Sequence, residues 1–280
     1  MITAFHQPTA LKAALALVAK GATPVAGATA LYTAKREREI ALVDIKRLGL
    51  SAMAVRRREI VLGATTTLTR IADADELTGP EGELLRRAAG ALSARTLRNA
   101  ITLGGNIVHV AYWADMPVAL LALDARVEVQ RAGAKAKVVA FADAIRPRAA
   151  PWKGGLLTRV LVPRRARPLG VGYERFARTS ADYALATVCA VVGSDGARAR
   201  DVRVVVGALQ ARPFRVPEVE ALLVGEVLDE GLIAKAADEL GARAPVAPSF
   251  RTELDYRKKL VRVLARRALE AAWARAGRAE

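Results

Sequence analysis

Two short glycine-bearing stretches, "VAGATAL" at Val25 to Leu31 and "TLGGNI" at Thr102 to Ile107, are where this 280-residue chain could handle a charged ligand. In each, a glycine turn follows an extended or apolar stretch. Several backbone N–H groups could then converge on one anion without Cβ atoms in the way, a geometry that suits a diphosphate. Neither stretch contains GKS, GKT or GxGxxG, so the usual nucleotide-loop readings fail. Glycine turns at strand ends are also an ordinary structural device, and the local pattern alone leaves that reading open. Asp115, just before Met116 and Pro117, sits in an otherwise apolar run. A carboxylate there must be solvated, salt-bridged or bonded to hydroxyls of a ligand, because burying it unpaired is costly.

Metal chemistry is poorly provided for. Cys189 is the single cysteine, so the chain alone forms no internal disulfide and holds neither an iron–sulfur cluster nor a thiolate zinc site. The two histidines, His6 and His109, are far apart in sequence and lack metal-ligand spacing.

The elements that must position the two loops can be read from periodicity. Leu11, Leu15 and Val18 predict a helix ending at Gly21. "TPVAG" predicts a strand running into the first glycine turn, "ATALYTAKRERE" a helix after it, and "IALVDIKRL" a second strand, together a βαβ-like start. "MAVRRREIVLGATTTLTRIADA" predicts a hairpin and then a helix capped by one of Thr65 to Thr67. "GELLRRAAGALSARTLRNA" predicts one helix leading into the second glycine stretch. "VALLALDARVEVQRAGAKAKVVAF" predicts a helix and a hairpin turning at Arg131 to Ala134, and "LLTRVLVP" a strand ended by Pro163. The basic, proline-rich "PRRARPLG" reads as a boundary. After it come a hairpin turning through Ser194, Asp195 and Gly196, and then mostly helices.

A hydrophobic content of 52% supports a sizeable core, and the length allows one large domain or two ordinary ones. No apolar run reaches the roughly 18 residues of a membrane span. Met1 to Lys20 has charge and polarity where a signal peptide needs an apolar centre, which places the chain in the cytoplasm. The net charge of +16 fits an acidic partner, an anionic cofactor or simply well-solvated arginine faces. Only Arg56 to Arg58 and Arg164 to Arg167 cluster, and neither cluster has interleaved aromatics for nucleic acid.

The two loops, with "ADMPVALLALDARVEV", "YERFARTSADYALATVCAVV", "GALQARPFRVPEVEALLVG" and "LDYRKKLVRVLARRAL", resemble in order the FAD-binding medium subunit of the molybdenum hydroxylases, the family of carbon monoxide dehydrogenase and the xanthine dehydrogenases. The resemblance runs from end to end. It implies an α+β fold: a two-subdomain FAD-binding domain of the PCMH, or vanillyl-alcohol-oxidase-like, type at 1–168, with subdomains of about 1–55 and 56–168, and a smaller α+β C-terminal domain at 169–280.

The resemblance also implies which residues meet FAD. Ala26, Gly27, Ala28, Thr29, Ala30 and Leu31 correspond to the first diphosphate loop, and Thr102, Gly104, Gly105 and Asn106 to the second. Ala114 corresponds to a cofactor contact, Asp115 to a bond with ribityl or ribose hydroxyls, Leu157 to a strand contact with the flavin or adenine region, Arg175 to a cation near the flavin, and Tyr183 to a ring able to cover a flavin face. No residue is catalytic, because the redox chemistry belongs to FAD. The implied partners are a large molybdopterin-binding subunit and a small subunit with two 2Fe-2S clusters, in a dimer of heterotrimers with no nucleic acid and no membrane span. Electrons would leave to a quinone, dioxygen or NAD. The missing cysteine cluster excludes the branch in which this subunit carries its own iron–sulfur centre.

The chain departs from the family at three places. Ala28 replaces a second glycine, which strains the loop by about 1 kcal/mol if φ is positive there. Ala30 replaces a polar residue. Tyr112 and Trp113 stand where a small residue and proline are common, as packing residues or as an aromatic wall beside the cofactor. His109 reads as a neighbour of the loop, and Cys189 as a buried hydrophobe. A flavin-free assembly subunit, suggested by Ala28 and Ala30, and a basic nucleic-acid-binding protein are the alternatives from other classes.

Overall fold

A computed structural model describes residues 1–33, 39–109, 111–165 and 168–277. Numbered along the chain, β1 (Ile2–His6), β2 (Thr23–Val25) and β3 (Ile40–Asp44) form a parallel sheet in the order β1-β3-β2, with α1 (Leu11–Ala19) between β1 and β2 and α2 (Thr29–Thr33) after β2. Parallel neighbours need a crossover, and α1 supplies it. Its apolar residues Ala14, Leu15 and Val18 share a core with Val43 and Ile45. The βαβ-like start is therefore present. β1 is a strand that the periodicity did not announce, because its partners lie at Ile40–Val43. Of the helix expected over 28–39, α2 is the first part, and 34–38 lie outside the described residues.

The hairpin of β4 (Met53–Val55) and β5 (Glu59–Gly63) leads to α3 (Leu68–Ala72), capped by Thr67, whose hydroxyl accepts from the Arg70 N–H at 3.3 Å. The single helix expected over 82–100 is instead two, α4 (Gly79–Gly90) and α5 (Arg95–Ala100). The reason is that their burdens differ: α4 buries Leu84, Leu85, Ala88 and Ala89, whereas α5 buries no residue and packs beside α3. Ala94, with extended backbone, breaks the rod. After α6 (Leu103–His109) and α7 (Asp115–Ala122) come β6 (Arg126–Gln130), β7 (Lys137–Ala140), α8 (Phe141–Ala144) and β8 (Leu156–Pro163). The β6–β7 turn falls at Arg131–Ala134, with Gly133 in the left-handed region at φ 69°. β4, β5, β8, β6 and β7 pair in that order into an antiparallel sheet.

Beyond the basic stretch, of which 166 and 167 lie outside the described residues, β9 (Leu169–Phe176), β10 (Ala186–Ser194), β11 (Ala199–Gly207) and β12 (Phe214–Arg215) build an antiparallel sheet in the order β12-β11-β10-β9. All of β10 is buried, which explains its nearly unbroken small apolar sequence. α9 (Pro217–Ala221), α10 (Glu230–Arg243) and α11 (Leu254–Ala276) complete the chain. α11 lies against β9 closely enough that a Cβ at Gly170 would sit 1.8 Å from the Ala272 carbonyl oxygen, and one at Gly172 1.9 Å from that of Ala268. Glycine in the strand and alanine in the helix are thus one packing device. Arg257, buried on α11, donates to the carbonyls of Leu185 (3.3 Å), Ala247 (2.9 Å) and Ala208. Cys189 is fully buried, and burial pushes its thiol up to about 12, so it behaves as an inert small hydrophobe.

By packing, the chain forms two compact units. One comprises Met1–Glu76, Ala94–His109 and Asp124–Pro163; the other comprises Leu77–Ser93, Val110–Leu123 and Arg164–Glu280.

Candidate functional site

The first glycine loop leaves β2 at Val25, which pairs with Asp44. At Gly27 a Cβ would stand 1.6 Å from the Ala100 carbonyl oxygen and 2.7 Å from its carbon, so only glycine lets the loop pass this backbone. Ala28 then takes φ 59°, and its carbonyl accepts from the Leu31 N–H at 2.8 Å, which turns the chain into α2. The conditional strain at position 28 is thus realised. Ala28→Gly is expected to relieve about 1 kcal/mol and to raise the melting temperature by about 2 °C in thermal melts.

The second stretch differs from the sequence expectation. It is the first turn of α6, and its N–H groups are already used within the protein. Leu103 donates to Thr66 O (2.8 Å), Gly104 to Ala64 O (2.7 Å) and Asn106 to Thr102 O (2.9 Å). Gly105 donates to Thr102 Oγ1 at 3.3 Å. The N–H groups of Gly104, Gly105 and Asn106 therefore do not form the anion cradle expected of them. The glycines supply closeness instead, since a Cβ at Gly104 would lie 2.9 Å from Ala64 O and one at Gly105 3.0 Å from Thr102 Oγ1. Asn106 is half-buried, and its Oδ1 meets no hydrogen-bond partner among the described residues.

Both stretches wall one cavity of about 750 Å³, inside the size range of small-molecule sites. Ala26, Gly27, Ala28, Thr29, Ala30 and Leu31 line one side; Thr102, Gly104 and Gly105 line another, and Leu157 of β8 a third. Asn106 is not among the lining residues. His109, at the end of α6, lines the cavity as the neighbour of the loop that the sequence suggested; two features went unrecognised, the apolar wall from Val18 to Pro24 and the turn carrying Trp152 and Lys153. A tryptophan set between Pro151 and two glycines was the available signal for the last. No carboxylate lines the cavity among the described residues, and Lys153 adds a positive charge. Glycine-paved walls without acids suit an anionic dinucleotide such as FAD.

The remaining predicted residues, Ala114, Asp115, Arg175 and Tyr183, belong to the other unit. Ala114 caps α7 and Asp115 opens it. The buried carboxylate finds its partners inside the protein: Arg175 Nε donates to Oδ2 at 3.3 Å and Thr187 Oγ1 to Oδ1 at 2.9 Å. Burial nonetheless raises its pKa above the ordinary value, outweighing the pull of Arg175. The burial of Asp115 thus does not by itself call for a ligand. Arg175 also donates to the Asp182 carbonyl at 2.7 Å. Tyr183 is exposed and stacks on Trp113, with centroids 4.2 Å apart, and Tyr112 meets Trp113 edge-on at 4.6 Å. Trp113 therefore has a packing partner in Tyr183.

Residues 1–165 match the family model described as the FAD binding domain in molybdopterin dehydrogenase, and residues 172–272 the one described as the CO dehydrogenase flavoprotein C-terminal domain. The chain is 29% identical to the carbon monoxide dehydrogenase medium chain of Afipia carboxidovorans over 97% of both chains. It is 36% identical to the nicotine 6-hydroxylase medium subunit of Paenarthrobacter nicotinovorans over 64% of this chain and 63% of that one. Among solved structures, a chain of the cyanide-inactivated Cu,Mo-CO dehydrogenase superposes with a TM-score of 0.88 at 28% identity, covering 98% of this chain and 99% of that one.

Proposed function

The chain belongs to the family of FAD-binding medium subunits of the CO dehydrogenase and molybdenum hydroxylase enzymes, and on that premise we propose that it is the electron-transfer subunit of a heterotrimer, taking electrons from 2Fe-2S clusters of a small partner and passing them to an external acceptor. A large molybdopterin-binding partner transforms the substrate in this reading, and two heterotrimers pair. The observation that carries its FAD-binding role is the cavity between the two glycine-bearing stretches, lined by no carboxylate among the described residues.

When bound, FAD supplies a ring that exchanges one or two electrons. The chain's own residues bind and orient it. Ala26 to Leu31, with Thr102, Gly104, Gly105 and Leu157, hold the dinucleotide in the cavity, and the Thr29 and Thr102 hydroxyls offer donors to the diphosphate. Ala114, Asp115, Arg175 and Tyr183 are the contacts we assign to the second unit. Asp115 is assigned a sugar hydroxyl in addition to its bonds from Arg175 and Thr187. Arg175 supplies the positive charge that favours the reduced ring. The family spans of 1–165 and 172–272 support a domain boundary at 168/169. No helix among the described residues is long and apolar enough to cross a membrane, which accords with a cytoplasmic complex.

The test is purification of the chain with FAD and with its genomic neighbours. Stoichiometric flavin absorbance and co-purification of a molybdopterin subunit and an iron–sulfur subunit are expected. If the basic surface meets acidic partners, assembly weakens with ionic strength. A folded chain that stays colourless in excess FAD overturns the reading in favour of a flavin-free assembly subunit.

A further inference from the structure

The turn at 150–155 reaches the cavity from a segment to which no role has been assigned, and it is built to hold two side chains still. Lys153 N–H donates to Ala150 O and Gly155 N–H to Trp152 O, both at 2.9 Å, while Gly154 takes φ 71°. Arg131 clamps the turn from the end of β6, with Nη2 donating to Pro151 O at 2.6 Å and Nε to Lys153 O at 3.4 Å. Gly155 lets the two segments touch, since a Cβ there would lie 2.5 Å from Gln130 O and 2.8 Å from Arg131 Cγ. Among the described residues lining the cavity, this turn carries the one tryptophan, Trp152, and the one lysine, Lys153, while His109 lines it from the end of α6.

We propose that Trp152 and Lys153 form the nucleotide-selective part of the FAD site, Trp152 stacking on the adenine and Lys153 countering the adjacent diphosphate, with Arg131 as the positioning residue that fixes their turn. The proposal rests on the FAD-binding reading. The cofactor carries two flat rings. The redox ring has to exchange electrons with groups outside this chain, whereas the adenine serves binding alone, so a fixed aromatic inside a glycine-walled cavity suits the adenine. Stacking on an indole is tolerant of ring identity but needs a ring, so the turn makes the chain prefer FAD and ADP over FMN, which has no adenine. Lys153 is exposed at the rim, so its contribution is screened by salt.

The test is carried out on the full chain with FAD, ADP and FMN as separate probes. ADP is expected to quench the tryptophan emission of the wild-type chain, and Trp152→Phe to remove that quench while keeping FAD affinity. Trp152→Ala is expected to weaken FAD and ADP about tenfold or more and to leave FMN unchanged. Lys153→Gln, which disturbs no packing, should weaken FAD and flatten the salt dependence of its binding. Wild-type affinity for FAD and ADP in Trp152→Ala overturns the proposal and leaves the FAD reading standing. Equal weakening of FMN overturns it as well, by placing the redox ring at Trp152. A wild-type chain that binds neither FAD nor ADP overturns both.

Discussion

Gly27→Ala is expected to abolish stable FAD binding while Gly277→Ala changes nothing. The added methyl of the first would stand 1.6 Å from the Ala100 carbonyl oxygen, a backbone atom that no rotamer change can move aside. Either the loop lifts away from the Ile101–Thr102 segment or that segment retreats, and both line the cavity. Overpacking of this kind costs about 3 kcal/mol. If the displacement must be reversed for the cofactor to enter, the same free energy appears as roughly a hundredfold loss of affinity. At Gly277 nothing lies within 4 Å, so the control tests glycine replacement as such. One residue further on, Ala28→Gly should act in the opposite sense. Flavin titrations of the three variants, with melts to check folding, read both effects. A Gly27→Ala chain that retains flavin at wild-type affinity refutes the close approach on which the cavity's shape depends.

How much of this site the sequence disclosed depends on how local each cause is. The Ala28 strain was legible because backbone sterics act on one residue. The Thr67 cap and the turns at Gly133 and Gly196 were legible for similar reasons. "TLGGNI" read as a loop because adjacent glycines disfavour helix. In the fold, Leu103 and Gly104 bond to Thr66 and Ala64 across the chain, and that pairing starts α6 where propensity would not. The break between α4 and α5 escaped for a related reason: the apolar spacing continues through it, and only the different packing of the two halves separates them. Asp115 shows the limit most clearly. Its residue type raised the burial question correctly, but all three answers to it were open until Arg175 and Thr187, remote in sequence, were found beside it. Family membership came from several ordered matches together, which no single glycine loop could have provided.

Arg257→Met should strongly destabilise the second unit, and it should spare ligand binding in the first. The guanidinium is buried, and its donors satisfy carbonyls from three separate segments: Leu185 before β10, Ala208 after β11, and Ala247 ahead of α11. Ala208 is held at φ 64°, a conformation alanine adopts only when its surroundings impose it, and the bond from Arg257 is one of those constraints. Burial pulls the Arg257 pKa below its ordinary value, but guanidinium remains charged at working pH. Carbonyl dipoles, rather than a carboxylate, stabilise that charge: no ion pair of Arg257 exists among the described residues. Methionine fills similar volume and donates nothing, so the buried Leu185 and Ala208 carbonyls lose partners at about 1–3 kcal/mol each, roughly 4 kcal/mol together, while water can serve the carbonyl of the exposed Ala247. Against a typical total of about 5–15 kcal/mol this is a large fraction. Arg257→Lys recovers little, because an ammonium cannot reproduce a planar fork that reaches three directions. The described residues that line the cavity belong to the first unit. Below the melting transition, the quench of tryptophan emission by ADP should therefore persist in Arg257→Met, whereas in Gly27→Ala it should be lost. An Arg257→Met chain that melts with the wild type would show that the three carbonyls are satisfied without it, and that the left-handed Ala208 has another support.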